Sequence, residues 1–212
     1  MKALVISSSP RRDGNSYLLA EAAQKGLVEA GAQSELIYLG DYLKHFLADE
    51  KEADKVNGLA VYDDRYGELF LDKFLPADGI IFATPLYWYS MSAQLKAFFD
   101  RTFSYISGSH PDSDEHIARM TGKKHGLLIS SEETYPMAAM GITHAVQEYS
   151  RYTRSQFVGC VQGIGNSRGD VHDDPTSPIA RAYQLGKSLL NGHYSDYQID
   201  TPRDNSVWQH KK

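Results

Sequence analysis

Ser7-Ser8-Ser9-Pro10-Arg11-Arg12-Asp13-Gly14-Asn15-Ser16 is the stretch whose residue types point most directly to chemistry. It follows an apolar run, Ala3 to Ile6, and precedes a helical pattern. A buried strand that feeds a hydroxyl-rich turn at the start of a helix makes an anion site. Unpaired N–H groups and the positive end of the helix dipole converge there. Serine, asparagine and arginine side chains around the turn add donors, and the ligand they suit is a phosphate. The turn lacks the Lys-Ser/Thr ending of a Walker loop and the three spaced glycines of a dinucleotide fingerprint. Such a site holds a phosphate and does not transfer it. Read locally, the same residues also make an ordinary helix start, with Asn15 or Ser16 as the cap.

A second stretch is Pro85-Leu86-Tyr87-Trp88-Tyr89-Ser90, which carries three adjacent aromatics after an apolar strand, Asp78 to Pro85. Rings in a turn suit either an oligomer contact or a planar heteroaromatic ligand. Two further features invite chemistry. Gly165-Asn166-Ser167-Arg168-Gly169 fits the nucleophile-elbow pattern of serine hydrolases, but Asp170 to Pro175 is a poor start for the helix that pattern requires. Ser104 to Gly122 is rich in acids and histidines without any metal-ligand spacing, and it reads as a solvated loop. No catalytic side chain and no metal ligand is assigned.

The elements that must position these turns follow from periodicity. Strands are expected at 2–7, 34–39, 78–85, 123–131 and 156–161. Helices are expected from Ser16 to Ala30, Asp64 to Leu75, Met91 to about Phe103, Pro136 to Tyr152 and Ser177 to Asn191. Gly40 to Arg65 reads as a solvated insertion with a short helical piece. Five alternations of strand and helix predict a doubly wound α/β fold with a five-stranded parallel sheet in the order 2-1-3-4-5. One domain would span residues 1–192, with a tail over 193–212. In that order the connections leave strands 1 and 3 in opposite directions, which sets the serine-rich turn beside the aromatic turn.

These two segments, Ser8-Ser9-Pro10-Arg11 with Gly14-Asn15-Ser16, and Ala77 to Phe82 through Thr84-Pro85-Leu86-Tyr87 to Arg101, resemble the flavodoxin-like NAD(P)H-dependent FMN reductases. That group includes quinone reductases and iron-sulfur flavoproteins. The resemblance implies that Ser9, Arg11, Asn15 and Ser16 bind the FMN phosphate. It also implies that Pro85, Leu86, Tyr87, Trp88, Tyr89 and Ser90 line the isoalloxazine, with Ser131 closing the site from the fourth strand. It implies hydride passing from NAD(P)H through FMN to a small electron acceptor such as a quinone, flavin, azo or nitro compound. A homodimer or homotetramer is implied as well. The alternative on the same fold is a flavodoxin-type electron carrier without nicotinamide activity, and a serine hydrolase using Ser167 is the remote one.

Composition bounds the partners. The chain of 212 residues carries a formal net charge of −5, so no general basic surface is offered to nucleic acid or to anionic membrane. The first apolar run is too short for a signal peptide, no stretch reads as a membrane span, and a cytoplasmic location is expected. Cys160 is the single cysteine. The cysteine cluster of the iron-sulfur members is therefore not expected.

Overall fold

A computed structural model describes residues 1–49, 53–56 and 59–193. The strands β1 (Lys2–Ser7), β2 (Gln33–Tyr38), β3 (Gly79–Pro85), β4 (Lys124–Ser131) and β5 (Gln156–Ile164) form one sheet in the order β2-β1-β3-β4-β5. Each neighbouring pair is parallel. This is the predicted order, with the reversal of direction falling between β1 and β3.

Alternation along the strands explains the layers. Leu4 and Ile6, Ile80 and Phe82, Leu127 and Ile129 enter one core, while Ala3 and Val5, Ile81 and Ala83, and Leu128 enter the other. Central strands with both faces covered read as unbroken apolar runs for this reason. Helices α1 (Asn15–Glu29) and α6 (Pro178–Ser188) cover the second core. They cross so closely that a Cβ on Gly26 would lie 2.1 Å from the Tyr183 carbonyl oxygen, and one on Gly186 would lie 2.0 Å from that of Ala23.

The opposite face carries α2 (Tyr66–Glu68), which continues into a π-helical turn (Leu69–Phe74), then α3 (Ala93–Ile106), α4 (Ser113–Met120) and α5 (Met140–Tyr152). Widening to π geometry lets the Leu75 N–H reach the Phe70 carbonyl. The rings of Tyr66, Phe70 and Phe74 then stack in succession along the buried side.

Two expectations are corrected here. The 104–122 stretch is not a loop throughout, because α3 runs on to Ile106 and α4 follows. The His116 ring bonds the Tyr105 carbonyl at 2.8 Å, and Met120 is wholly buried. The chain from 40 to 65 is not merely a solvated insertion either. Tyr42 and Leu43 join the core, and the Asp64 carboxylate is buried against Arg101. A two-residue antiparallel ladder, Lys55–Val56 with Leu59–Ala60, lies within it. The tail expected over 193–212 falls outside the described residues apart from His193. Among the described residues, no helix is long and apolar enough to cross a membrane, and no group of three or more His, Cys, Asp or Glu side chains could hold a metal ion.

Candidate functional site

The carboxyl ends of β1, β3, β4 and β5 enclose a cleft of about 170 Å³. Ser9, Arg11, Gly14, Asn15 and Ser16 line it from the β1–α1 turn, and Pro85, Leu86 and Tyr87 from the turn after β3. Ser130, Ser131 and Glu132 line it from the end of β4, and Gly165 to Arg168 from the loop after β5. Eight of the sequence-expected site residues therefore come together. Trp88, Tyr89 and Ser90 do not line the cavity but stand at its rim, continuing the turn from Tyr87.

The β1–α1 turn is built as follows. Gly14 is the residue before the helix and gives no side-chain cap, so Asn15 and Ser16 are its first two helical residues. Their N–H groups have no carbonyl one turn back within the helix to receive them. Ser9 Oγ accepts from the Arg11 N–H at 3.1 Å, which leaves its own proton free to donate. Ser16 Oγ and Ser130 Oγ are 2.6 Å apart and buried. One donates to the other, so this pair keeps one proton for a ligand. Arg11 is exposed and has no ion pair among the described residues. Arg12 is turned away, paired with Asp41 and lying over the Tyr38 ring.

Asn15 does something other than expected. Its Nδ2 donates to the carbonyls of Gly165 and Ser167 at 3.0 and 2.9 Å. Its Oδ1 accepts from the N–H groups of Gly169 and Val171 at 3.0 and 3.5 Å. All four hydrogen-bonding positions of the amide are taken by backbone, so the side chain clamps the β5 loop. Gly165 is required by this contact, since a Cβ there would sit 2.7 Å from Asn15 Nδ2.

The turn after β3 is a tight two-residue one. Tyr87 and Ser90 exchange both backbone hydrogen bonds, at 2.9 and 3.0 Å. The residues between them, Trp88 and Tyr89, have φ of 50° and 59°. Such turns favour Asn-Gly, and two bulky side chains in the left-handed region are strained. The Trp88 side chain is 96% exposed, so burial among the described residues does not offset that strain. Tyr89 is pinned, its hydroxyl donating to Glu133 Oε1 at 3.1 Å. Hydrogen bonding to Tyr135, and then to Glu133, pushes its phenol up to about 12. Ser131 Oγ is also committed, donating to the Glu133 carbonyl and accepting from Gln162 Nε2, each at 3.0 Å.

The resemblance brought in the turn that starts at Ser130, of which Ser130, Ser131 and Glu132 line the cleft, but sequence reading missed the Gly165 to Arg168 loop. The signal available for that loop was its run of Gly, Asn and Ser after a strand, which instead suggested a nucleophile elbow. A three-residue 3-10 turn, Asp170–His172, follows in place of a helix, and among the described residues no histidine bonds the Ser167 hydroxyl. The elbow geometry is absent.

Comparison with known proteins bears on this cleft. The family model described as NADPH-dependent FMN reductase matches residues 1–152. A Bacillus subtilis protein, provisionally named an NAD(P)H-dependent FMN-containing oxidoreductase, is 28% identical over 188 residues, covering 89% of this chain and 98% of its own. An iron-sulfur flavoprotein of Archaeoglobus fulgidus is 27% identical over 213 residues, covering 98% and 86%. The solved NAD(P)H:quinone oxidoreductase of Methanothermobacter marburgensis superposes with a TM-score of 0.63 at 21% identity, over 92% of this chain and 99% of that one. The last likeness bears on the fold.

Proposed function

The chain belongs to the family of NADPH-dependent FMN reductases, and on that footing we propose that the cleft holds FMN and that hydride passes from NAD(P)H to a small acceptor. The reading rests above all on one observation. Ser9, Ser16 and Ser130, all buried, share one cleft with Pro85, Leu86 and Tyr87, and the exposed Trp88 and Tyr89 continue that turn at its rim.

The donor set fits the phosphate of this cofactor. Neutral hydroxyls, free N–H groups at the α1 start and the unpaired Arg11 hold a dianion without metal or lysine. The cavity is smaller than the several hundred cubic ångströms usual for a whole organic ligand. It therefore takes the phosphate and its chain, while the flat ring lies on the rim made by Pro85 to Ser90. Ser131 would contribute from its main chain, and Asn15 by fixing the opposite wall. FMN, when bound, supplies the hydride chemistry, and no side chain needs to act as nucleophile or base.

Substrates that share the exposed ring face are flat and electron-poor. Quinones, flavins and azo or nitro aromatics are the class we infer. Tyr135, which neighbours Tyr89, and Met137 and Met140 after it are exposed, and this apolar surface supports a homodimer or homotetramer as the working form. A cytoplasmic setting agrees with the lone Cys160, a half-buried thiol whose pKa burial raises to about 11. Arg11→Gln is the direct test of the phosphate position. It should weaken FMN binding about tenfold by removing a charge-assisted contact. Unchanged FMN affinity would contradict the assignment.

A further inference from the structure

Arg168 and Asp13 join the two loops that flank the proposed phosphate position. Arg168 lines the same cleft as Ser9, Arg11 and Ser16. Its Nε donates to Asp13 Oδ1 at 2.7 Å, across 155 positions of chain. Both side chains are more than half exposed, at 58% and 70%. An exposed pair of this kind adds little to stability. What it does do is hold a guanidinium at the cleft mouth with a carboxylate already on it. The Arg168 hydrogen bond first, and the Arg168 charge after it, hold the Asp13 carboxyl below its usual range, with the Arg11 charge the smallest contribution. A carboxylate thus occupies a guanidinium at the edge of an anion site.

The main chain around Arg168 is fixed by part-buried contacts, while its side chain, bonded to Asp13, is more than half exposed. The Asn15 amide grips the carbonyls of Gly165 and Ser167 on one side of it and the Gly169 N–H on the other. Exchange of one anion for another at Arg168 therefore needs only rotamer change, with no loop rearrangement.

Resting on the reading that the cleft takes the FMN phosphate, we propose that Asp13 is a stand-in anion and that the arriving phosphate takes Arg168 from it. Arg168 is then a second cationic ligand of the phosphate beside Arg11. A dianionic phosphate with three acceptor oxygens outcompetes a single carboxylate for a guanidinium fork, whereas a weaker anion does not. Asp13 lowers affinity for every anion, and only a dianion overcomes it. Selectivity arises from that competition.

The test is FMN titration of the full-length chain at low salt, followed by flavin fluorescence quenching, with thermal melts to show that each variant is folded. Arg168→Gln should raise the Kd for FMN about tenfold, and Asp13→Asn should lower it about threefold. The double variant should behave as Arg168→Gln alone, because no competitor remains to be removed. Both single variants break the same ion pair, so a pair that served only to brace the loops would weaken binding in both. An unchanged Kd in Arg168→Gln, or weakened binding in Asp13→Asn, overturns the proposal. Arg11→Gln separates this failure from a larger one. If Arg11→Gln weakens FMN binding and Arg168→Gln does not, the Arg168 proposal alone falls. If neither does, the phosphate position falls and takes the proposal with it.

Discussion

The hydroxyl of Ser92 donates to the hydroxyl of Ser8 at 2.9 Å, joining the β1–α1 turn to the start of α3 across 84 positions of sequence. Ser8 in turn donates to the Ala83 carbonyl at 3.0 Å, and Ser92 Oγ accepts from the Leu95 N–H as the cap of α3. Both loops of the cleft are thus set by one buried hydroxyl chain. Ser92→Ala removes the cap and the link together. It should lower stability by about 1 to 2 kcal/mol in urea unfolding, and FMN affinity should fall with it as the two turns lose their register.

The ion pair of Asp64 and Arg101 is deeper, with side chains 1% and 4% exposed. Arg101 also lies over the rings of Tyr62 and Tyr66. Burial opposes the charge of Asp64, but Arg101 and the N–H groups of Lys44 and Tyr66 outweigh it and hold the carboxyl below its ordinary value. A depressed carboxylate stabilises the fold above the unfolded pKa, and that contribution is lost as pH falls through the folded pKa. Asp64→Asn strands a buried guanidinium, and a loss of about 3 to 5 kcal/mol is expected in denaturant melts.

His125 gives a second acid sensitivity, in a different pH window. Its ring is wholly buried against Phe74, Phe82 and Tyr149. Nδ1 is 2.9 Å from Ser150 Oγ, which itself donates to the Val146 carbonyl, so Nδ1 carries the proton. Nε2 has no partner. Burial, with a smaller contribution from the Lys123 charge, pushes the imidazole down to about 3. The unfolded chain takes a proton below the ordinary value of 6.5 while the native chain does not, so stability drains as pH falls from 6.5 toward 3. Between pH 7 and pH 5 this group should cost about 2 kcal/mol, and His125→Leu should abolish that share of the loss.

The turn at Trp88 and Tyr89 is strained for what it presents. Replacing the pair by Asn-Gly satisfies both left-handed positions. The double variant should gain about 1 to 2 kcal/mol in stability by thermal melting and lose turnover with aromatic acceptors, because the exposed rings are gone. A gain in stability without loss of turnover would separate the turn from function.

What was legible in the sequence was whatever its period encodes. Ala3 to Ile6 and Ile80 to Ala83 are apolar throughout because both faces of those strands are covered, and five strand runs alternating with helical patterns pointed to the order of the sheet. Both turns of the cleft followed from that order. Pairings between distant polar residues were not legible. Nothing in the local sequence says that Asn15 spends its amide on a loop 150 positions away, or that Asp64 finds Arg101. The helix α4 was hidden because its buried side is only His116 and Met120 among acids and arginine. Its short apolar stripe gives no period to read.

The most direct test of the central claim is the absorption spectrum of the purified, FMN-soaked and desalted protein, recorded before and after anaerobic NADPH or NADH. A retained yellow chromophore that bleaches rapidly on addition of either nucleotide is the predicted result. Retention without bleaching would point to an electron carrier in place of a reductase, and a colourless protein after desalting would contradict the assignment of the cleft altogether.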